Sequence, residues 1–412
     1  MISKAQTLEL SQRHLIPGRI HTFGRAGIDL VIGRREMYKI WDLDGREFFD
    51  LHLNGGTYNL GHRAPELVAT LRGALDEFDM GNHHFPSPAR ATFAEKLFEV
   101  SPQQSLPFTV FTSGGGEAVD VAIRSARWAT GRRRIVTIDS GFHGRTGLSG
   151  AAGDRNNADY FHSALPDDFL QVPWGDVAAL EAAFASDAIA AVLLETIPAT
   201  MGFPTVPQGY HDAVRQLCDT HGALFIADEV QTGLGRTGEI WAVDSFGVVP
   251  DMLVTGKGLG GGLYPVSAVV LSERAGGWLA ENGWGHVSTT GGSELGAVVG
   301  LAALQRSTAP ETLAHVRVLS EHFAAGLAAL QLAHPSLDQV HQRGLVIGLR
   351  FAGLDGAIRA MSTLYRHGIW AIFAGFDSSM LQFKPGLLLS LQDADEVLAR
   401  MALACAELDA AL

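Results

Sequence analysis

The sequence is short of what several protein classes require. Its 412 residues include two cysteines, Cys218 and Cys405. That is too few for a disulfide framework and fits a reducing, cytoplasmic compartment. Apolar runs such as AIAAVLL and LYPVSAVVL are strand-sized, so no membrane-spanning helix is expected. The N-terminal MISKAQTLELSQRHLIPG has no apolar core of signal-peptide length. Lys and Arg number 31 against 44 Asp and Glu, a formal charge of -13. That balance disfavours a nucleic-acid partner, because phosphate backbones are bound through a basic footprint. His83 and His84 have no third ligand at metal spacing, so no metal is expected. The RRR run at 132–134 reads as a solvated helix end, and Cys218 as a helix packing residue.

What remains is an apolar-rich globular chain, 47% hydrophobic, long enough for a large core with a smaller appended part. In its middle, short apolar runs alternate with amphipathic stretches. PFTVFTS (107–113), RIVTID (134–139), AAVLLET (190–196), ALFIADE (223–229), MLVTG (252–256) and VSAVVLS (266–272) read as strands. Between the first two, Ala118, Val119, Ala122, Ile123 and Ala126 share one helical face, and Gly131 is placed to stop the helix. GYHDAVRQLCDTHG is a second helix with a glycine stop. Buried strands separated by helices imply an α/β fold with a mostly parallel sheet. Residues 36–53 read as a hairpin turned at Asp44-Gly45. Beyond about residue 300 come Ala- and Leu-rich helices, a strand at 345–351 and a closing helix from Asp393. The termini, 1–53 and 301–412, are thus expected to form one smaller α+β domain flanking a large domain over 54–300.

Ligands of open α/β sheets sit at the carboxyl ends of the strands, and three groups fall there. SGGGEA (113–118) is a glycine turn opening a helix, whose free amides and dipole suit an anion. Asp228 ends an apolar strand, where a carboxylate is costly to bury without a cationic partner. Lys257, in DMLVTGKGLGGG, follows an apolar run and is flanked by glycines expected to clear space around it. Singly, each has a plainer reading: an ordinary turn, a structural salt bridge, a surface lysine. Together they supply what pyridoxal phosphate needs. Its aldehyde takes an amine of lowered pKa, its phosphate takes backbone amides, and its ring nitrogen takes a carboxylate that holds a proton there. Phe142, in SGFHGRTG, is placed to stack on the ring.

Those residues lie in a longer ordered set: WDLDGREFFDL, NLGH, SGGGEAV, FHGRT, ADEVQTGLGRTG, TGKGLGGG and TTGGSELG. The chain resembles the class III, ω-aminotransferase-like family of fold-type I pyridoxal-phosphate enzymes over most of its length. The resemblance implies that Lys257 is the Schiff-base lysine and proton shuttle, and Asp228 the partner of the pyridine nitrogen. It implies that Val230 packs on the ring face opposite Phe142, and that Gln231 lies near the phenolic oxygen. Gly115 and Gly116, with Gly114 beside them, match the phosphate-binding pair. His143 follows the stacking aromatic, and Glu195 matches the glutamate of a Glu-Pro motif, although Thr196 follows it here. Thr289 matches the threonine that reaches the phosphate from the partner subunit, which implies a homodimer with shared active sites.

Two departures bear on substrate. Gln382, in LQFKPGLLLS, stands where many members have a carboxylate-binding arginine, and Thr200 stands where several have the glutamate that pairs with it. A neutral Gln cannot make a bidentate charged pair. Arg145 is the obvious substitute cation, or else a structural ion pair, and Lys384 is a second candidate. The function implied is transfer of an amino group from an amine donor to a carbonyl acceptor, both small molecules. Racemases or epimerases, lyases and decarboxylases of the same family share these residues and form the alternative. A non-enzymatic use of the fold would be expected to have lost Lys257 or Asp228.

Overall fold

A seven-stranded sheet carries the centre of the molecule. The computed structural model describes residues 2–186 and 188–411. Across the sheet the strands run Phe108–Thr112, Ser267–Leu271, Met252–Thr255, Leu224–Asp228, Ile189–Glu195, Arg134–Ile138 and Phe169–Val172. Five neighbours from Met252–Thr255 to Phe169–Val172 pair in parallel, and Ser267–Leu271 alone inverts direction against both its neighbours. Six of these strands are those expected from the apolar runs. The seventh, Phe169–Val172, is four residues long and was hidden by its shortness.

Alternate side chains feed opposite faces of the sheet, as a period of two requires. Val136, Val192, Phe225 and Leu253 pack with Val214 and Cys218 of the Tyr210–His221 helix. Ile135, Leu193, Ile226 and Val254 pack with Ala118, Val119, Ala122, Ile123 and Ala126, the expected face of the Gly115–Thr130 helix. Gly131 ends that helix in the left-handed region, at φ 64°. Both cysteines are buried free thiols.

The terminal segments meet in one four-stranded sheet, and the C-terminal segment alone builds a second. Lys39–Asp42 and Glu47–Asp50 form the expected hairpin, with Ile32–Glu36 outside it and Ile369–Trp370 pairing in parallel on its far edge. The other sheet is built from Leu337–Arg343, Val346–Phe351, Asp377–Phe383 and Ile372–Ala374. The arginine run departs from its reading as a solvated helix end. Arg132 donates to the carbonyls of Ile189 and His221, Arg133 pairs with Asp168 at 2.5 Å, and Arg134 donates to the carbonyl of Asp167. The long side chains fasten the sheet edge, because the helix stops beside exposed carbonyls. Among the described residues no helix is long and apolar enough to cross a membrane.

Candidate active site

Strand register builds the floor of the site. Glu195 lies directly opposite Asp228, and Asp228 opposite Val254, so three strand ends align and Lys257 follows two residues after the third. Around these ends is a cavity of about 190 Å³ lined by Gly115, Gly116, Phe142, His143, Gly144, Glu195, Asp228, Val230, Gln231 and Lys257. Most of the site residues expected from the sequence are therefore brought to one place.

The carboxylates are tightly held. Asp228 Oδ2 lies 2.8 Å from His143 Nδ1, which donates because a carboxylate only accepts. Asp228 Oδ1 takes the amide of Val230 at 3.1 Å. Glu195 accepts from the amides of Phe142 (3.0 Å) and Ala199 (3.1 Å), which fixes the loop that carries the aromatic ring. Burial pushes the Glu195 carboxyl up to about 7, against the pull of His143. Thr196, in the place of the family's proline, donates to Glu229 Oε1 at 2.6 Å. Glu229 also takes Thr232 and the amides of Ala242 and Val243, tying together the segments beyond both strand ends.

Lys257 sits in the left-handed region at φ 46°, a conformation that costs a non-glycine residue about 1 kcal/mol or more. Desolvation lowers its pKa, with Asp228 and Glu195 partly opposing the shift. No hydrogen bond from its amine is found among the described residues.

The glycines around Lys257 do not clear the cavity, contrary to the sequence reading. A Cβ on Gly256 would meet Ser267 Oγ at 2.5 Å, and on Gly258 the side chain of Asn59 at 2.6 Å. On Gly261 and Gly262 it would strike Leu67 and Tyr58, both at 2.4 Å. They let the protein close behind the lysine. The glycine that makes room for its side chain is Gly55, where a Cβ would lie 2.9 Å from Lys257 Cε.

The donor set fits pyridoxal phosphate. The Gly115–Thr130 helix has Gly114 at its N-cap and no side-chain cap, so its first-turn amides are free for an anion. A Cβ on Gly115 would press within 3.3 Å of Val230, narrowing the cradle, whereas one on Gly114 would meet nothing. Phe142 and Val230 are the apolar walls, and Asp228 is a buried carboxylate in the same lining.

Three expected residues lie outside this lining: Gly114 at the helix N-cap, Arg145 and Thr289. Arg145 is half exposed, pairs with Asp154 at 2.6 Å and lies 5.2 Å from the Phe142 ring centre. Thr289 is exposed, and its neighbour Thr290 bonds Ser113 at 2.7 Å. Not foreseen was the line of side chains leaving the cavity: Gln231 Nε2 donates to Gln382 Oε1 (3.4 Å), which also accepts from Lys384 Nζ (2.6 Å). Among the described residues there is no cluster of metal-ligating side chains.

The model of the family described as aminotransferase class-III matches residues 23–405. An uncharacterized aminotransferase of Archaeoglobus fulgidus is 44% identical over 97% of this chain and 93% of its own. The acetylornithine aminotransferase of Rhodobacter capsulatus is 33% identical over 96% and 99%. Among solved structures, the N-acetylornithine aminotransferase of Stenotrophomonas maltophilia superposes with a TM-score of 0.80 at 29% identity, covering 93% of this chain and 97% of that one.

Proposed function

The chain belongs to the class-III aminotransferases and is a pyridoxal-phosphate-dependent transaminase, and from that premise we propose how its own residues divide the work. When bound, the cofactor supplies an electron sink that stabilises negative charge at the substrate carbon bearing the amino group. Lys257 would hold the cofactor through its aldehyde, and its amine, once displaced by the substrate's, would be the base placed to take and return the proton of that carbon. Burial lowers the pKa of the Lys257 amine, which favours the unprotonated form that a base and nucleophile needs.

Asp228 holds the proton on the ring nitrogen, and His143 keeps its carboxylate turned toward the ring. Phe142 and Val230 clamp the ring faces, Gln231 meets the phenolic oxygen, and the amides of Gly114, Gly115 and Gly116 take the phosphate. Glu195 positions the Phe142 loop through its amide bond. Arg145, held beside Phe142 by Asp154, has guanidinium N–H groups left over for a substrate oxygen. Exposed Thr289 completes the phosphate site of a second copy of the chain, so the working unit is a homodimer. Two free thiols fit a cytoplasmic setting. The relatives named acetylornithine aminotransferase favour a donor whose reacting amine is distant from a carboxylate.

The observation that carries this reading is one unpaired lysine amine in the same cavity as a His-braced aspartate and a glycine-opened helix. Borohydride reduction of the cofactor-loaded protein should fix the cofactor covalently on Lys257, one of five lysines in the chain. A peptide map with the label on another lysine, Lys384 included, would overturn it.

A further inference from the structure

Lys384 is fully buried, yet no carboxylate pairs with it among the described residues. Its amine has one hydrogen-bond acceptor, the neutral carboxamide oxygen of Gln382, and lies 5.4 Å from the Phe203 ring centre. The charged and titratable groups felt at this amine are Arg236, Lys257, Asp50 and His52. Asp50 is already taken: Oδ2 by His62 (2.8 Å), Oδ1 by the amides of His52 and Leu53. Arg236 is bound to the carbonyls of Leu345 and Pro385 and to the Asn59 side chain, again without an anion. The wall behind Gln231 is thus a buried basic patch to which no carboxylate is bonded among the described residues, with Asp50 acting on it only from a distance. A buried lysine in such company either gives up its charge or waits for an anion.

We infer that Lys384 is the recognition cation for a carboxylate or sulfonate on the substrate, whose place the Gln382 oxygen holds in the free protein. The inference rests on the reading of the cavity as the transamination site. Gln382 is within reach of cavity-lining Gln231, and of the two residues across from it in the sheet, Gly348 and Ile372, the first contributes no side chain to restrain it. The backbone of Gln382 is pinned in the sheet while its carboxamide can turn, exposing the amine to a substrate oxygen. Arg145 differs from Lys384 in being half exposed and already paired with Asp154, outside the cavity lining. Burial and the neighbouring cations Arg236 and Lys257 press the pKa of the Lys384 amine well below its ordinary value in the free protein. An anion beside the amine favours its charged form, so binding draws a proton onto it.

Two measurements on the pyridoxal-phosphate-loaded protein test this. The first compares KM for ω-amino acids of three to six carbons with KM for the matching carboxamides. At the best length the carboxylate should be favoured at least tenfold, and Lys384→Met should bring that ratio within twofold while the bound-cofactor absorbance stays intact. No preference at any length, or a ratio that survives in Lys384→Met, overturns the inference. The second needs no variant: calorimetry of butanoate and butanamide, which have no amine to react, in two buffers of different ionisation enthalpy at pH 8. Uptake of about one proton with butanoate alone supports the inference, and equal proton traffic for both ligands sinks it. Failure of the cofactor to load, or absence of amino transfer from every donor, would strike the transaminase reading instead.

Discussion

Gly55→Ala is the sharpest single perturbation of the site, because it adds one methyl group against the end of the lysine. The new Cβ would lie 2.9 Å from Lys257 Cε, 3.5 Å from Cδ and 3.2 Å from Gln231 Oε1. Carbon atoms rest at about 3.5–4.0 Å, so the lysine tip must retreat by roughly 0.6–1 Å. Gly55 also has φ +71°, where alanine carries about 1–2 kcal/mol of strain. The obstructing atoms belong to flexible side chains, so the fold should survive with a melting temperature lower by about 4 °C at most. Function should suffer far more, since a displacement near 1 Å in a reacting group can cost about 10²-fold. The assay is kcat/KM at saturating cofactor, with differential scanning calorimetry and a cofactor titration alongside. A variant that loads cofactor normally and retains activity within twofold would show that Gly55 does not set the lysine position.

Lys257→Ala should lose both the absorbance of lysine-bound cofactor and all measurable turnover, and full activity in that variant would displace Lys257 from its role. Glu229 is raised by burial to about 7 from its ordinary 4.5. A carboxyl whose folded pKa is raised binds more protons folded than unfolded, so its stability contribution is full below 4.5 and lost as pH rises toward 7. The melting advantage of the wild type over Glu229→Gln should therefore shrink from pH 5 to pH 8, by at most about 3 kcal/mol, and a widening gap would reverse the sign of the argument. If Thr289 serves a second copy, mixed dimers of Lys257→Ala and Thr289→Ala subunits carry one intact site. Their cofactor affinity at that site should return to the wild-type value, above that of Thr289→Ala alone, and no recovery on mixing would place Thr289 in its own subunit.

Much of the sheet was legible because its strands are buried on both faces and read as unbroken apolar runs, as in IAAVLLE and LFIAD. Phe169–Val172 offered four residues and no period. The aligned strand ends explain why Asp228 and Lys257, found separately in the sequence, share one cavity. What the sequence concealed are contacts made across long separations. Gly258, Gly261 and Gly262 beside a lysine suggest an open space, and only the fold shows Asn59, Leu67 and Tyr58 filling it. Thr196 looked like a lost proline, and its hydroxyl turns out to bond Glu229, 33 residues on. Lys384 read as a second candidate after Arg145, and its full enclosure, with its amide held by the Leu51 carbonyl at 2.7 Å, was not legible in the sequence. Gln382 and Thr200 replace two residues of the family pattern, and in the structure the Thr200 hydroxyl makes a long bond to the carbonyl of Ser140 at 3.4 Å while its own carbonyl takes the amide of Phe376 at 3.0 Å.

The most direct test of the account is one half of the reaction. Cofactor-loaded protein would be mixed with single amines, from L-glutamate and L-alanine to ω-amines and amino sugars, with no carbonyl acceptor present, and its spectrum followed. The account predicts that at least one donor converts the lysine-bound cofactor stoichiometrically to its amine form and releases the matching carbonyl compound. Amines that bind and change the spectrum without the amine form accumulating would contradict it, and would assign these residues to epimerisation or elimination.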